Sequence, residues 1–383
     1  MMGNTFGRFF RITTCGESYG IGKGSGLAVI VDGVPPGLKL TREYIQKELD
    51  KRKPGQGKLD SPRKETDICD IFAGLGQDGV TTGAPIGIMI YNVDTQQIHI
   101  DQYRGYKDII RPGHAEYNFF VKYGEAGDWC GAGRASGRET VGRVAGGAVA
   151  KFILEQYGIE ILAYTKHSQG ITAKEMSFDD LKKNYRKNDI NCPDLAAAEK
   201  MIAAVMKAKD EGDTAGGIIE ARVRGVPAGL GEPVFDKLKA TIAHGIASIG
   251  AVTGVEWGAG FKVGDMKGSQ FNDPPYLKNG KVRFRTNNCG GFLGGMSNGE
   301  ELLLRVAVKP TPTISLEQDS IDMVKMKETK LSPITRRDPT ICGRIYIVVE
   351  AMIACAVLDA LFMAKGYDSV CQLENKWSQI RGK

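Results

Sequence analysis

Apolar and polar residues along this chain follow two rhythms, and the points where one replaces the other mark its elements. Ser25–Val31 (SGLAVIV) is a β-rich run. It turns at Val31-Asp-Gly-Val-Pro-Pro-Gly-Leu38 into a helical pattern, TREYIQKELDKR. The same succession returns later as GGIIEAR, then Val223-Arg-Gly-Val-Pro-Ala-Gly-Leu230, then EPVFDKLKATIAHGIASI. Val-Pro at a strand end, followed by Pro or Gly, is a strand-to-helix corner. The echo therefore predicts two related sheet-plus-helix halves in one compact unit. Glu139–Tyr157 reads as a helix whose small residues permit close packing, and Leu195–Ala208 as an amphipathic helix. Leu302–Val308 (LLLRVAV) reads as a mostly buried strand, and the prolines of Lys309-Pro-Thr-Pro-Thr313 stop the sheet and leave a polar loop. The most apolar stretch, Ile345–Ala364, is interrupted by Glu350 and Asp359. A membrane span tolerates neither charge cheaply, so the expectation is a buried helix. Strands and helices alternate irregularly, which favours α+β over a doubly wound fold. With no low-complexity linker or charge block, residues 1–383 are expected to form a single domain.

Composition narrows the function classes. Hydrophobic residues are 42% and charged residues 25% of 383, ordinary for a globular chain and unlike a disordered or fibrous one. Lys+Arg at 51 against Asp+Glu at 45 gives a net charge of +6, a mild excess that points to small anionic ligands more than to a duplex-coating protein. Fifty glycines imply many tight turns and close backbone approaches, as around a large bound ligand. The eight cysteines are scattered with no CxxC pair, which reads as reduced thiols in a cytoplasmic protein, and the N-terminus carries no signal-peptide pattern. Gly22-Lys23 fails as a phosphate loop, because Glu17 and Gly24 stand where a glycine and a Ser or Thr are needed. No GxGxxG follows a strand to open a helix, no GxSxG forms a nucleophile elbow and no histidines pair at i, i+4, so neither a dinucleotide fold, a serine-hydrolase elbow nor a metal site is expected.

Three clusters hold chemistry. The densest is Arg111-Pro-Gly-His-Ala-Glu-Tyr117, Lys122-Tyr-Gly124 and Gly131-Ala-Gly-Arg134-Ala-Ser136-Gly-Arg138-Glu-Thr140. Glycines expose backbone N–H groups, a following helix adds its positive end, and arginine offers planar bidentate contacts to phosphate or carboxylate. His114 lies in a Gly/Pro loop instead of on an apolar face. The second cluster, Lys51-Arg52-Lys53-Pro-Gly-Gln-Gly-Lys58 with Arg63-Lys64, reads on its own as a solvated loop. The third is Arg336-Arg337-Asp338-Pro339, where two arginines would keep the aspartate ionised, or where Asp-Pro simply begins a helix.

Taken together these segments resemble chorismate synthase along nearly the whole chain. The resemblance is carried by Gly3-Asn-Thr-Phe-Gly-Arg8, Thr13-Thr-Cys-Gly-Glu-Ser18, Val31–Leu38, Arg111–Ala115, Gly133–Val144, Gly225–Phe235, Gly291–Lys309 and Arg337–Pro339. It implies a lyase converting 5-enolpyruvylshikimate 3-phosphate to chorismate and phosphate. It also implies a need for reduced FMN without net redox change, and a homotetramer with a β-α-β sandwich core. In that family the flavin lends electron density as the phosphate leaves, and a flavin nitrogen accepts the C6 hydrogen. Carried over by motif, the flavin contacts are Arg134, Ala135, Ser136, Gly250, Ala251, Gly294, Lys309, Pro310, Thr311, Pro312, Thr313 and Arg336. Arg52 and Lys58 match positions assigned to substrate or NADP; Arg111, Arg138 and Arg337 match substrate contacts. His114 matches the histidine that protonates or hydrogen-bonds reduced flavin, and Asp338 the aspartate that manages the proton at the flavin nitrogen.

The sequence departs from the family at Gly-Glu-Ser-His-Gly, where Tyr19 replaces the histidine assigned to the leaving phosphate, and it carries a short extra stretch, Ile21-Gly-Lys-Gly24. A phenol with a pKa of about 10 is no ready acid or base at neutral pH, whereas phosphate, with a second pKa of about 6, leaves with little protonation once donors meet its charge. Tyr19 and Lys23 are expected to replace the histidine jointly; otherwise the arginines do that work. An external reductant, not the chain's own use of NADPH, is expected to supply reduced FMN. The alternatives are an FMN-dependent oxidoreductase and a basic nucleic-acid-binding protein. The first lacks a dinucleotide fold and the second an aromatic binding face.

Overall fold

The two echoed octapeptides leave the central strands of two five-stranded antiparallel sheets. The computed structural model describes residues 3–19, 25–55, 57–60, 65–93, 96–333 and 338–365. The first sheet, in the order β1-β2-β3-β5-β4, comprises β1 (Thr5–Phe6), β2 (Arg11–Cys15), β3 (Gly26–Asp32), β4 (Cys69–Ala73) and β5 (Ile86–Tyr91). With it come α1 (Arg42–Asp50), α2 (Gln97–Gly105), α3 (Glu116–Tyr123) and α4 (Thr140–Gln156). Then follow β6 (Glu160–Ser168), β7 (Ile171–Thr172), α5 (Phe178–Asn184), α6 (Leu195–Asp210), β8 (Gly217–Arg224), α7 (Leu238–Ala247), β9 (Val252–Trp257) and α8 (Gly268–Phe271). Two hairpins, β10 (Pro275–Lys278) with β11 (Lys281–Phe284) and β12 (Phe292–Leu293) with β13 (Met296–Ser297), precede β14 (Leu302–Val308). A third, β15 (Gln318–Asp322) with β16 (Lys327–Leu331), precedes α9 (Cys342–Lys365). The second sheet runs β7-β6-β8-β14-β9.

α4 packs on β2 and β3, α9 packs on β6 and β8, and the two helices pack on each other, so the layers are sheet, helix, helix, sheet. This is the expected α+β sandwich. The small residues of α4 have the role the sequence predicted. A Cβ at Gly146 would lie 2.7 Å from Ile12 Cγ2, and one at Gly147 would lie 2.4 Å from Ala351 Cβ. One glycine thus lets the sheet approach and the next lets α9 approach.

The repeat extends to individual hydrogen bonds. Gly33 (φ 78°) and Gly225 (φ 88°) open the two corners in left-handed conformations, where a Cβ would meet Phe9 O at 1.7 Å and Gly158 O at 2.2 Å. Thr81 clamps the first corner: its hydroxyl donates to Pro35 O (2.7 Å) and accepts from Leu38 N (2.9 Å), while its carbonyl accepts from Gly37 N (2.9 Å). Ser297 clamps the second: its hydroxyl donates to Pro227 O (2.6 Å) and accepts from Leu230 N (2.9 Å), while its carbonyl accepts from Gly229 N (2.7 Å). Both residues are buried. Ser297→Ala is expected to lower the unfolding free energy by ~1–3 kcal/mol, because it strands a buried carbonyl and an amide. Thr81→Val should fall in the same range, and urea denaturation of each variant reads both.

The second corner differs from the sequence expectation in one respect: the helix predicted from Glu232 begins only at Leu238. Gly231 (φ 113°) and Pro233, which biases the residue before it away from helix, delay it.

α9 is the one helix among the described residues long and apolar enough to cross a membrane, yet it lies buried between the layers. Both of its interrupting charges are satisfied. Asp359 accepts from the backbone N–H groups of Arg8 (3.0 Å), Phe9 (2.7 Å) and Phe10 (3.0 Å). Glu350 accepts from Lys151 Nζ (2.7 Å), Ala163 N (2.8 Å) and Tyr185 OH (2.9 Å).

Candidate active site

The polar loop at the end of β14 meets the loop ahead of α3. Lys309 Nζ donates to Gly113 O (2.7 Å), His114 Nε2 lies 2.8 Å from Thr313 Oγ1, and a Cβ at Gly113 would come 2.8 Å from Pro312 Cβ. The Lys309–Thr313 loop is fixed from behind: Lys309 N donates to Ala251 O (3.0 Å), and Thr214 Oγ1 donates to Thr311 O (2.7 Å). Ala251 itself adopts φ 71°, in the tight turn with Gly250 that enters β9. Seven of the sequence candidates, Gly250, Ala251, Lys309, Thr311, Pro312, Thr313 and His114, therefore belong to one constellation, with Pro310 between them.

Arg111 is buried beside this loop. It pairs with Glu116 through Nε (2.7 Å) and Nη2 and lies over the rings of Tyr103 (5.5 Å) and Tyr106 (5.7 Å). Burial, and then the positive charges of Arg111 and Lys309, depress the His114 pKa from 6.5 to about 3. The imidazole is thus neutral at pH 7. The sign of its stability effect follows. The unfolded chain takes up a proton at His114 near pH 6.5 that the folded chain refuses until about 3, so stability declines as pH falls through that window. His114→Gln is expected to flatten this decline, measured as urea unfolding at about pH 7 and about pH 5.

An aromatic column leads from Arg111 to the Gly-rich segment. Tyr103 stacks edge-on against the buried ring of Tyr19 (5.5 Å), and Tyr19 lies against Gly131, where a Cβ would be 2.8 Å from its ring. From Gly131 to Gly133 the backbone runs left-handed. Arg134 is tied to the first sheet, donating to Gly16 O (3.0 Å), Asn4 Oδ1 (3.0 Å) and Thr14 Oγ1 (2.8 Å). After Ala135, Ser136 Oγ accepts from Arg138 N (3.2 Å) and caps the turn leading into α4. Gly294 sits at the β12–β13 turn with φ 60°.

The second meeting point is Asp67, fully buried, whose carboxylate takes Arg52 Nη1 (2.7 Å) on one oxygen and Arg138 Nη1 on the other. Arg52 also donates to Thr140 Oγ1 (3.0 Å) and Gly137 O (2.9 Å), and Arg138 to Asn92 Oδ1 (3.0 Å) and Tyr91 O (3.2 Å). The two guanidiniums hold the Asp67 pKa below its ordinary value in spite of burial. Burial, with Arg138 and Arg344 nearby, lowers that of Arg52 to about 10. Lys58 donates its backbone N–H to Asp189 Oδ2 (2.9 Å), and Asp338 pairs with Arg344 Nη2 (2.6 Å). Lys23, Arg63, Lys64, Arg336 and Arg337 lie outside the described residues.

Counting cations along the sequence missed their partners. Glu116 and Asp67 pair with three of the arginines, and Asp67 stands only a few residues beyond the basic cluster that it serves. Two buried hydroxyls, Ser18 Oγ and Thr311 Oγ1, find no hydrogen-bond partner among the described residues. Thr311 belongs to the constellation and Ser18 lies beside Gly131, and each hydroxyl can donate and accept a hydrogen bond.

The family model described as chorismate synthase matches residues 10–362. The chain is 52% identical to a chorismate synthase of Acetivibrio thermocellus, over 99% of this chain and 100% of that protein. It is 49% identical to one from Methanococcoides burtonii, over 94% of this chain and 96% of that protein. A solved chorismate synthase crystal structure matches with a TM-score of 0.72 and 27% identity, covering 98% of this chain and 100% of the other.

Proposed function

The chain belongs to the chorismate synthase family, and on that premise we propose which of its residues carry the reaction. The activity is a carbon–oxygen lyase reaction of the shikimate pathway, the trans-1,4 elimination of phosphate from 5-enolpyruvylshikimate 3-phosphate to give chorismate. Reduced FMN, when bound, would lend electron density to the substrate as the phosphate leaves, without being consumed. The residues fit such a group. Lys309 to Thr313, Gly250, Ala251 and His114 form one polar loop constellation, in which the Thr311 hydroxyl has no hydrogen-bond partner among the described residues. Arg134, Ala135, Ser136, Gly294 and Arg336 complete the flavin set.

The observation that carries this reading is His114, a neutral imidazole held between Arg111 and Lys309. Burial, and then the charges of Arg111 and Lys309, keep the ring unprotonated, and an anionic ligand beside it would favour its protonated form. Arg111, Arg138 and Arg337, with Arg52 and Lys58, meet the anionic groups of the substrate. Tyr19, reaching Arg111 through Tyr103, faces the departing phosphate with one O–H donor. Asp338 holds the proton at the flavin nitrogen. The enzyme works as a cytoplasmic homotetramer built from one domain per chain, with NADPH serving only indirectly through an external reductant.

Anaerobic incubation with the enolpyruvyl substrate and chemically reduced FMN tests the proposal. Phosphate should be released with reduced flavin and not with oxidised flavin. NADPH consumption in proportion to product would point instead to an oxidoreductase and overturn the reading.

A further inference from the structure

Arg344 occupies an unfavourable position for a cation, the first turn of α9, against the positive end of the helix dipole. Two carboxylates hold it there, Asp338 just ahead of the helix and Asp60 from a distant turn. Its Nη2 pairs with Asp338 Oδ1 at 2.6 Å, and its Nε lies 3.1 Å from Asp60 Oδ1, an ion pair without aligned hydrogen-bond geometry. Asp60 closes the 57–60 turn, with Gly57 N donating to its Oδ2 (3.2 Å). Asp189 braces the same turn: its Oδ2 accepts from Lys58 N (2.9 Å), and a Cβ at Gly57 would sit 2.4 Å from its Cγ. The carbonyl of Asp189 in turn lies so near Gly343 that a Cβ there would be 2.2 Å away. Lys58, Asp60, Asp189, Gly343 and Arg344 thus form a closed ring of contacts beside a polar cleft of about 220 Å³, and Asp338 is attached to that ring through Arg344.

We propose that Arg344 is a positioning residue for the elimination, fixing the Asp338 carboxylate relative to the Lys58 turn so that the two move as one body. The proposal rests on the reading of Asp338 and Lys58 as site residues. Arg344 need not touch substrate or flavin. A guanidinium spans two carboxylates with a planar fork, which a flexible ammonium does less rigidly, and misplacing a catalytic group by about 1 Å can cost on the order of 100-fold.

The test compares Arg344→Met, Arg344→Lys and Asp60→Asn in the full-length enzyme, with kcat, KM and reduced-FMN binding measured beside thermal melts. Arg344→Met is expected to lower kcat by ~10–100-fold with little change in substrate KM or flavin affinity. Arg344→Lys should recover part of that loss, and Asp60→Asn should give a smaller loss of the same kind. If Arg344→Met does not fold, the other two variants carry the comparison. A lowered melting temperature with kcat unchanged in the folded variants would overturn the proposal. Asp338→Asn separates the two levels: if it leaves kcat unchanged, the assignment of Asp338 fails, whereas a loss there with none at Arg344 sinks only the positioning role.

Discussion

Lys151→Met is expected to lower the unfolding free energy by about 3–5 kcal/mol, the cost of removing one member from a buried ionic network. Lys151 Nζ donates to Glu48 Oε2 and Glu350 Oε2, both at 2.7 Å, joining α4 to α1 and α9. Although burial opposes charge, the two carboxylates push the Lys151 pKa up, and Lys151 with Lys51 holds that of Glu48 down at about 2 in spite of its burial. Methionine fills the volume but leaves Glu350, at 0% exposure, with only the Ala163 amide and the Tyr185 hydroxyl. The linkage sign is also fixed. Because Glu48 has a depressed pKa, its contribution is present above the ordinary carboxylate range and disappears as pH falls toward about 2. Urea denaturation at neutral pH reads the loss, and adding Glu350→Gln to the variant should return part of it. A loss below about 1 kcal/mol would mean that water already solvates the network.

His114→Ala should lower kcat by ~10²–10⁴-fold, the usual contribution of a positioned proton-transfer group. The Nε2 contact with Thr313 and the carbonyl of Gly113 under Lys309 show how narrowly the ring is placed. Since Arg111 and Lys309 remain to meet negative charge, affinity for reduced FMN should change far less than turnover. Rapid-mixing measurement of phosphate release, beside a flavin titration, separates the two. Equal losses in both would make His114 a binding residue only.

What could be read in advance was local. The paired Val-Pro corners were legible because proline and glycine dictate backbone shape within a few residues. Their clamps, Thr81 and Ser297, were not, because each comes from a strand or turn tens of residues away and carries no local signature. Glu350 and Asp359 were legible as charges that exclude a membrane span. That one would meet Lys151 and the other the connection between β1 and β2 is a property of the layers. In the candidate site the arginines stood out by residue type, yet Asp67, which gathers two of them, looked like one more charge after a basic run. The helical periodicity from Glu232 onward is overridden locally by Gly231 and Pro233, so the helix begins only at Leu238.

The bonds from Asp359 to the amides of residues 8–10 tie together segments separated by about 350 positions. A ribosome delivers residues 8–10 about 350 positions before their carboxylate acceptor. Through synthesis of the intervening chain, the first sheet and α4 wait without the helix that completes their core. That unfinished core is an aggregation hazard during translation, and slowing elongation ahead of α9 prolongs the exposure.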